Sequence, residues 1–172
     1  MTLIKSISGI RGTIGGKPGD NLTPLDIVKF SAAFGTWLIQ QNKQAKCTVV
    51  VGRDARISGP MMDHIICGTL VSLGIDVINI GLAATPTVEI AVTETKSNGG
   101  IIITASHNPK QWNALKLLNE KGEFINDTQG RLVLQLAETE QFNFVDVDKL
   151  GKVSYRHDFN DIHIQKILEL PL

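Results

Sequence analysis

Two cysteines in 172 residues are too few to staple a fold with disulfides. Cys47 opens a strand-like apolar run and Cys67 lies within a helix-like one, so both read as buried, reduced thiols of a protein expected in the cytoplasm. The four histidines, His64, His107, His157 and His163, show no metal-ligand spacing with either cysteine, which excludes a structural zinc site of the usual kind. No apolar run approaches the roughly 20 residues of a membrane span, and the opening MTLIKSISGIRG lacks the apolar stretch of a secretory signal. Charge of either sign is not in excess, with 17 basic and 17 acidic side chains. A neutral chain offers no electrostatic reason for nucleic-acid or membrane-surface binding.

Several nucleotide signatures are also missing. The glycine-rich 9–19 segment, GIRGTIGGKPG, has Arg11 where a Walker loop needs glycine and Pro18 where it needs Ser or Thr. No G-x-G-x-x-G follows a strand-like run. The G-x-S-x-G elbow of serine hydrolases is absent as well, since Ser106 stands between Ala105 and His107. There are no internal repeats or low-complexity segments.

What is present is an alternation of helix and strand signals. With 42% apolar residues the chain can build one domain with a real core. Thr23 and Pro24 start a helix whose stripe is Ile27, Phe30, Phe34 and Leu38. CTVVVG (47–52), IDVINIG (75–81) and GGIIITA (99–105) read as strands covered on both faces. Between them lie helices from about Pro60, stopped by Gly74, and from Thr85-Pro86. ALKLLN then suggests an antiparallel edge strand, and a further helix is capped by Asn126 or Asp127. The order predicts a three-layer α/β/α domain on a mixed, mainly parallel sheet of about four main strands. Residues 1–172 read as one such domain, with about 155–172 an amphipathic helix leading toward a second domain beyond the apolar end Leu170-Pro171-Leu172.

Polar groups gather at the ends of the apolar runs: Arg11 in SGIRGT, Arg53-Asp54-Ala55-Arg56, Thr85-Pro86-Thr87, and Ser106-His107-Asn108. In open α/β sheets ligands bind outside the carboxyl ends of strands, and three of the four clusters are predicted there. Arg11, in a glycine-flanked loop on this reading, offers a guanidinium for bidentate phosphate contact. Lys116 offers a mobile ammonium that can neutralise phosphate oxygens or shuttle a proton. Asn108, before proline, fits a turn. His107 either bonds a phosphate or sugar oxygen or fixes the loop. It is poorly placed as a base for the adjacent Ser106. Arg53, Asp54 and Arg56 read as an ion-paired, loop-bracing network, and Trp112 as packing.

TASHNP, with GIRG upstream, VGRDAR after the first strand, TPT after the second and N-x-x-K behind the serine, resembles the N-terminal domain of the α-D-phosphohexomutases. These are the phosphoglucomutases, phosphomannomutases and phosphoglucosamine mutases, and the motif order and spacing match over essentially all of the chain. The resemblance implies a four-domain enzyme in which Ser106 carries a phosphoryl group, given to a hexose phosphate and recovered from the other end of a bisphosphate intermediate. It implies Ser106, Lys116, Arg11 and His107 as catalytic residues, and Arg11, Asn108 and Lys116 as phosphate-binding ones. It further implies Mg²⁺ held by the Ser106 phosphate and by a D-G-D-x-D-R loop, and a hexose 1,6-bisphosphate as activator. No D-G-D-x-D occurs here, so the remaining metal ligands and the sugar-selecting loops would belong to the rest of the parent chain, and the fragment alone is expected to be inactive. Trp112-Asn113-Ala114-Leu115-Lys116 departs from the family's Tyr/Asp-Asn-Gly-x-Lys by losing the glycine, while Asn113 and Lys116 keep their places. A phosphosugar-binding module without catalysis and a serine esterase are the rival readings.

Overall fold

The computed structural model describes residues 1–6, 9–42 and 46–171. The three expected strands form as β3 (Thr48–Arg53), β4 (Asp76–Leu82) and β5 (Gly99–Ile103), preceded by β1 (Ile4–Ser6) and β2 (Gly9–Thr13) and followed by β6 (Trp112–Leu118) and β7 (Val153–Tyr155). The sheet therefore has seven strands rather than about four, in the order β1-β2-β6-β5-β3-β4-β7. Pairing is parallel from β5 through β3 and β4 to β7, and antiparallel among β5, β6, β2 and β1. The strand after the serine loop was expected at an edge. It lies inside the sheet, because β2 adds to its far side with Ile10 opposite Leu115 and Arg11 opposite Ala114. Arg11 is thus a strand residue, not a loop residue.

The alternation of side chains along the central strands builds two cores. Val49, Val51, Ile101, Ile103, Leu115 and Leu117 pack with Phe30, Phe34 and Trp37 of α1 (Pro24–Gln41), Met62, Ile66 and Leu70 of α2 (Gly59–Ser72), and Val133 and Ala137 of α4 (Asp127–Thr139). On the other face, Val50, Ile80, Ile102 and Leu118 pack with Val88, Ala91 and Val92 of α3 (Thr85–Glu94) and with Phe159 of α5 (Phe159–Leu168). Three layers result. Burying one such side chain is worth about 1.5–3 kcal/mol, so the two cores hold the helices to the sheet.

The helix ends follow their sequence signals. Thr23 and Asp26 form a capping box on α1, with the Thr23 N–H donating to Asp26 Oδ2 at 3.0 Å. Asn126, paired with Gln129, caps α4. Gly74, at φ +81°, ends α2 in the left-handed region. The changed texture after residue 142 becomes β7 and α5, and α5 is fastened to α3 by a Thr87 Oγ1–His163 Nδ1 hydrogen bond of 2.9 Å and a Lys166–Glu94 ion pair of 2.8 Å. Cys47 and Cys67 are free and buried, and burial pushes both thiols up to about 12. No helix among the described residues is long and apolar enough to cross a membrane.

Candidate active site

The α3–α5 layer rests on β3, β4 and β5. On that face, the end of the sheet formed by β6 and β2 carries a cleft of about 270 Å³ lined by Arg11, Thr104–Asn108, Ala114, Lys116 and Phe124. Register explains who meets there. Arg11 faces Ala114 across β2 and β6, and Lys116 lies two residues further along β6, opposite Ile102. A period of two puts all three on the same face. The loop after β5 closes the cleft with Ser106. Of the expected residues, Ser106, His107, Asn108, Arg11 and Lys116 are therefore brought together. Thr85–Thr87 is not, because the Thr87 hydroxyl is buried against His163.

Ser106 is exposed and stands at φ +55°, in the left-handed region, a conformation uncommon for a residue with a Cβ. Its Oγ lies 3.5 Å from His107 Nδ1, at the outer limit of a hydrogen bond. Asn108 makes the turn as expected: its N–H and its Nδ2 both donate to the Ala105 carbonyl, at 3.1 and 2.9 Å.

The loop is held from beneath by Arg56, whose side chain is only 13% exposed. Its Nη1 donates to the carbonyls of Pro109 (2.9 Å) and Trp112 (3.0 Å). Its Nη2 donates to those of Ser106 and Asn108, each at 2.7 Å. Asp54 pairs with Arg56 Nε at 3.2 Å and accepts from the Thr104 hydroxyl at 2.7 Å. Arg53 contributes less, donating to the Asp54 carbonyl at 3.2 Å. Behind the loop, Asn113 is fully buried and donates to Ser58 Oγ at 2.8 Å.

Arg11 is exposed, and among the described residues its guanidinium has no hydrogen-bond or ion-pair partner. Lys116 Nζ sits 5.6 Å from the centroid of the Phe124 ring. Glu89 of α3 also senses Lys116. Burial pushes its carboxyl above the usual value, and the nearby ammonium pulls it partly back. Phe124 and Glu89 are surroundings of Lys116 that sequence reasoning missed. They reach it through space, from the turn after β6 and from α3, and no local spacing announces them. The cleft thus offers an exposed serine together with two cations, over a floor that includes Ala105, Ala114 and Phe124. That arrangement suits a phosphorylated ligand and a phosphoryl group on the serine.

Comparison with known proteins bears on the family and the fold. A family profile described as phosphoglucomutase/phosphomannomutase, alpha/beta/alpha domain I, matches residues 3–144. The chain is 36% identical over 144 residues to a phosphoglucomutase/phosphomannomutase of Thermococcus kodakarensis, covering 83% of this chain and 31% of that protein. It is 35% identical over 150 residues to a phosphoglucosamine/phosphogalactosamine mutase of Sulfurisphaera tokodaii, covering 87% of this chain and 31% of that one. The chain spans about a third of the length of these relatives. Among solved structures, a phosphoglucomutase/phosphomannomutase family protein of Burkholderia thailandensis superposes with a TM-score of 0.75 at 23% identity, over 96% of this chain and 36% of that chain, which supports the fold.

Proposed function

The chain belongs to the phosphoglucomutase/phosphomannomutase family, as its α/β/α domain I, and on that premise we propose that it is the part of a phosphohexomutase that carries the transferred phosphoryl group, on Ser106. The parent enzyme would interconvert hexose 1-phosphate and hexose 6-phosphate through a hexose 1,6-bisphosphate. The observation that carries this reading is the placement of an exposed Ser106 hydroxyl in one cleft with Arg11 and Lys116.

In the proposed reaction the free hydroxyl of a bound hexose phosphate attacks phosphorus on phosphorylated Ser106. A bond from that oxygen to phosphorus forms as the Oγ–phosphorus bond breaks. The acceptor loses a proton and Ser106 Oγ gains one. After the bisphosphate turns end for end, Ser106 Oγ attacks its other phosphate and the sequence runs in reverse. Arg11 grips phosphate oxygens through its guanidinium fork. Lys116 neutralises the charge on the transferring group or moves the proton. His107 and Asn108 shape the loop, and Asn108 would also contact phosphate.

Mg²⁺ takes oxygen ligands in near-octahedral geometry. This chain fits that ion only in part. A phosphate on Ser106 would give one ligand, but Asp54, the carboxylate tied into the loop, is committed to Arg56 and Thr104. Among the described residues no group of three His, Cys, Asp or Glu side chains could hold a metal. The other ligands would come from elsewhere in the parent protein. When bound, the ion would offset negative charge on the transferring phosphoryl group.

The test is turnover of hexose 1-phosphates by the full-length protein with Mg²⁺ and a trace of the bisphosphate. Wild type should form hexose 6-phosphate, and Ser106→Ala should form none while still binding phosphosugar. Binding without turnover by wild type would instead support a phosphosugar-binding module.

A further inference from the structure

Ser106 is held in the left-handed region, and such a conformation persists only where the surroundings over-determine it. Both of its backbone groups run to the same pair of charged side chains. The Ser106 carbonyl accepts from Arg56 Nη2 at 2.7 Å. The Ser106 N–H donates to Thr104 Oγ1 at 3.1 Å, and that hydroxyl donates to Asp54 Oδ2 at 2.7 Å. The same Oδ2 accepts from Arg56 Nε at 3.2 Å, which closes a ring through Ser106. Asp54 Oδ1 accepts the Arg56 N–H at 3.0 Å, fixing the pair to its own loop.

The guanidinium is fully committed within this ring. Its Nε meets a carboxylate and its two terminal nitrogens meet four carbonyls. Those carbonyls, from Ser106 to Trp112, span the whole turn. Only a planar fork of five N–H donors meets so many acceptors at once. Arg56 does not line the cleft, so it has no donor to offer a substrate phosphate. Its effect on chemistry must pass through Ser106.

We propose that Arg56 is a positioning residue for phosphoryl transfer: through Asp54, Thr104 and the loop carbonyls it holds Ser106 in its left-handed conformation and thereby sets where Oγ meets the substrate. The inference rests on Ser106 being the phosphoryl carrier. Arg11 and Lys116 lie outside the ring, so opening it misplaces the nucleophile while leaving their grip on phosphate in place.

The experiment measures the rate at which full-length protein takes radiolabel from glucose 1,6-bisphosphate onto Ser106, beside the Kd for the same sugar. Arg56→Lys and Arg56→Ala are compared with Thr104→Val, which keeps volume and opens the ring at a different link. A displacement near 1 Å costs on the order of 10²-fold in rate, so the Arg56 variants should label about that much more slowly. Their Kd should stay within about twofold. Thr104→Val should slow labelling by a smaller factor, and added guanidinium ion should restore part of the rate of Arg56→Ala. Variants that melt like wild type and label at its rate overturn the proposal. So does parallel loss of binding and labelling without guanidinium rescue, which marks general loop collapse. A wild-type protein that takes no label overturns the phosphoserine reading itself, and this inference with it.

Discussion

Lys116 shows how one residue gets its character from neighbours distant in sequence. It faces the Phe124 ring on one side and senses Glu89 of α3 on another. Burial raises the Glu89 carboxyl above its ordinary 4.5, and Lys116 opposes that rise. A carboxyl raised on folding binds its proton more tightly in the native state. Its contribution to stability is fullest below the unfolded value and is lost as pH rises through the folded one. Glu89→Gln should therefore remove a loss of stability that begins near pH 4.5 on the way up, read by urea denaturation across pH. Lys116→Met should raise the Glu89 carboxyl further, seen by NMR titration, and should slow phosphoryl transfer by about 10²–10⁴-fold. At this scale much of the candidate site was legible. Ser106 and Asn108 stand out by residue type at the end of a buried strand, and Lys116 by its spacing behind the serine. The bracing role of Arg56 could be guessed from Arg-Asp-Ala-Arg, but not its targets. Hydrogen bonds to backbone carbonyls some fifty positions away leave no side-chain pattern.

Elements were legible where periodicity is long and illegible where it is short. Helix α1 and the dry strands β3, β4 and β5 announce themselves. Strand β2 does not, because Gly9 and Gly12 around Arg11 imitate a loop. The structure shows another reason for Gly9. It stands at φ +132°, and a Cβ there would lie 2.3 Å from the Leu115 carbonyl oxygen of β6. The glycine permits close approach of strands rather than a turn. Gly9→Ala should cost more than about 1 kcal/mol, by strain and by parting β2 from β6. Chemical denaturation measures that cost, and amide exchange should show β2 opening first. Strands β1 and β7 have three residues each, too short for a period of two to register.

At the scale of the whole molecule, the three-layer order was read correctly from alternating signals, while the interior place of β6 was not. Sequence order places a strand after its predecessor, but only long-range pairing with β2 decides whether it ends the sheet. The same pairing carries Arg11 to Lys116 and so assembles the cleft. The cleft supplies a hydroxyl and two cations, and among the described residues no cluster of carboxylates could hold a metal. The 172-residue chain, about a third of its relatives' length, is accordingly expected to give no turnover of hexose 1-phosphate by itself; turnover by this chain alone would show that the missing ligands are not needed. The central claim is that Ser106 carries the phosphoryl group. Phosphopeptide mapping of the full-length protein after exposure to radiolabelled glucose 1,6-bisphosphate tests it most directly. The account predicts label on Ser106 that a hexose monophosphate then removes. Label on another residue, or none on Ser106, would contradict it.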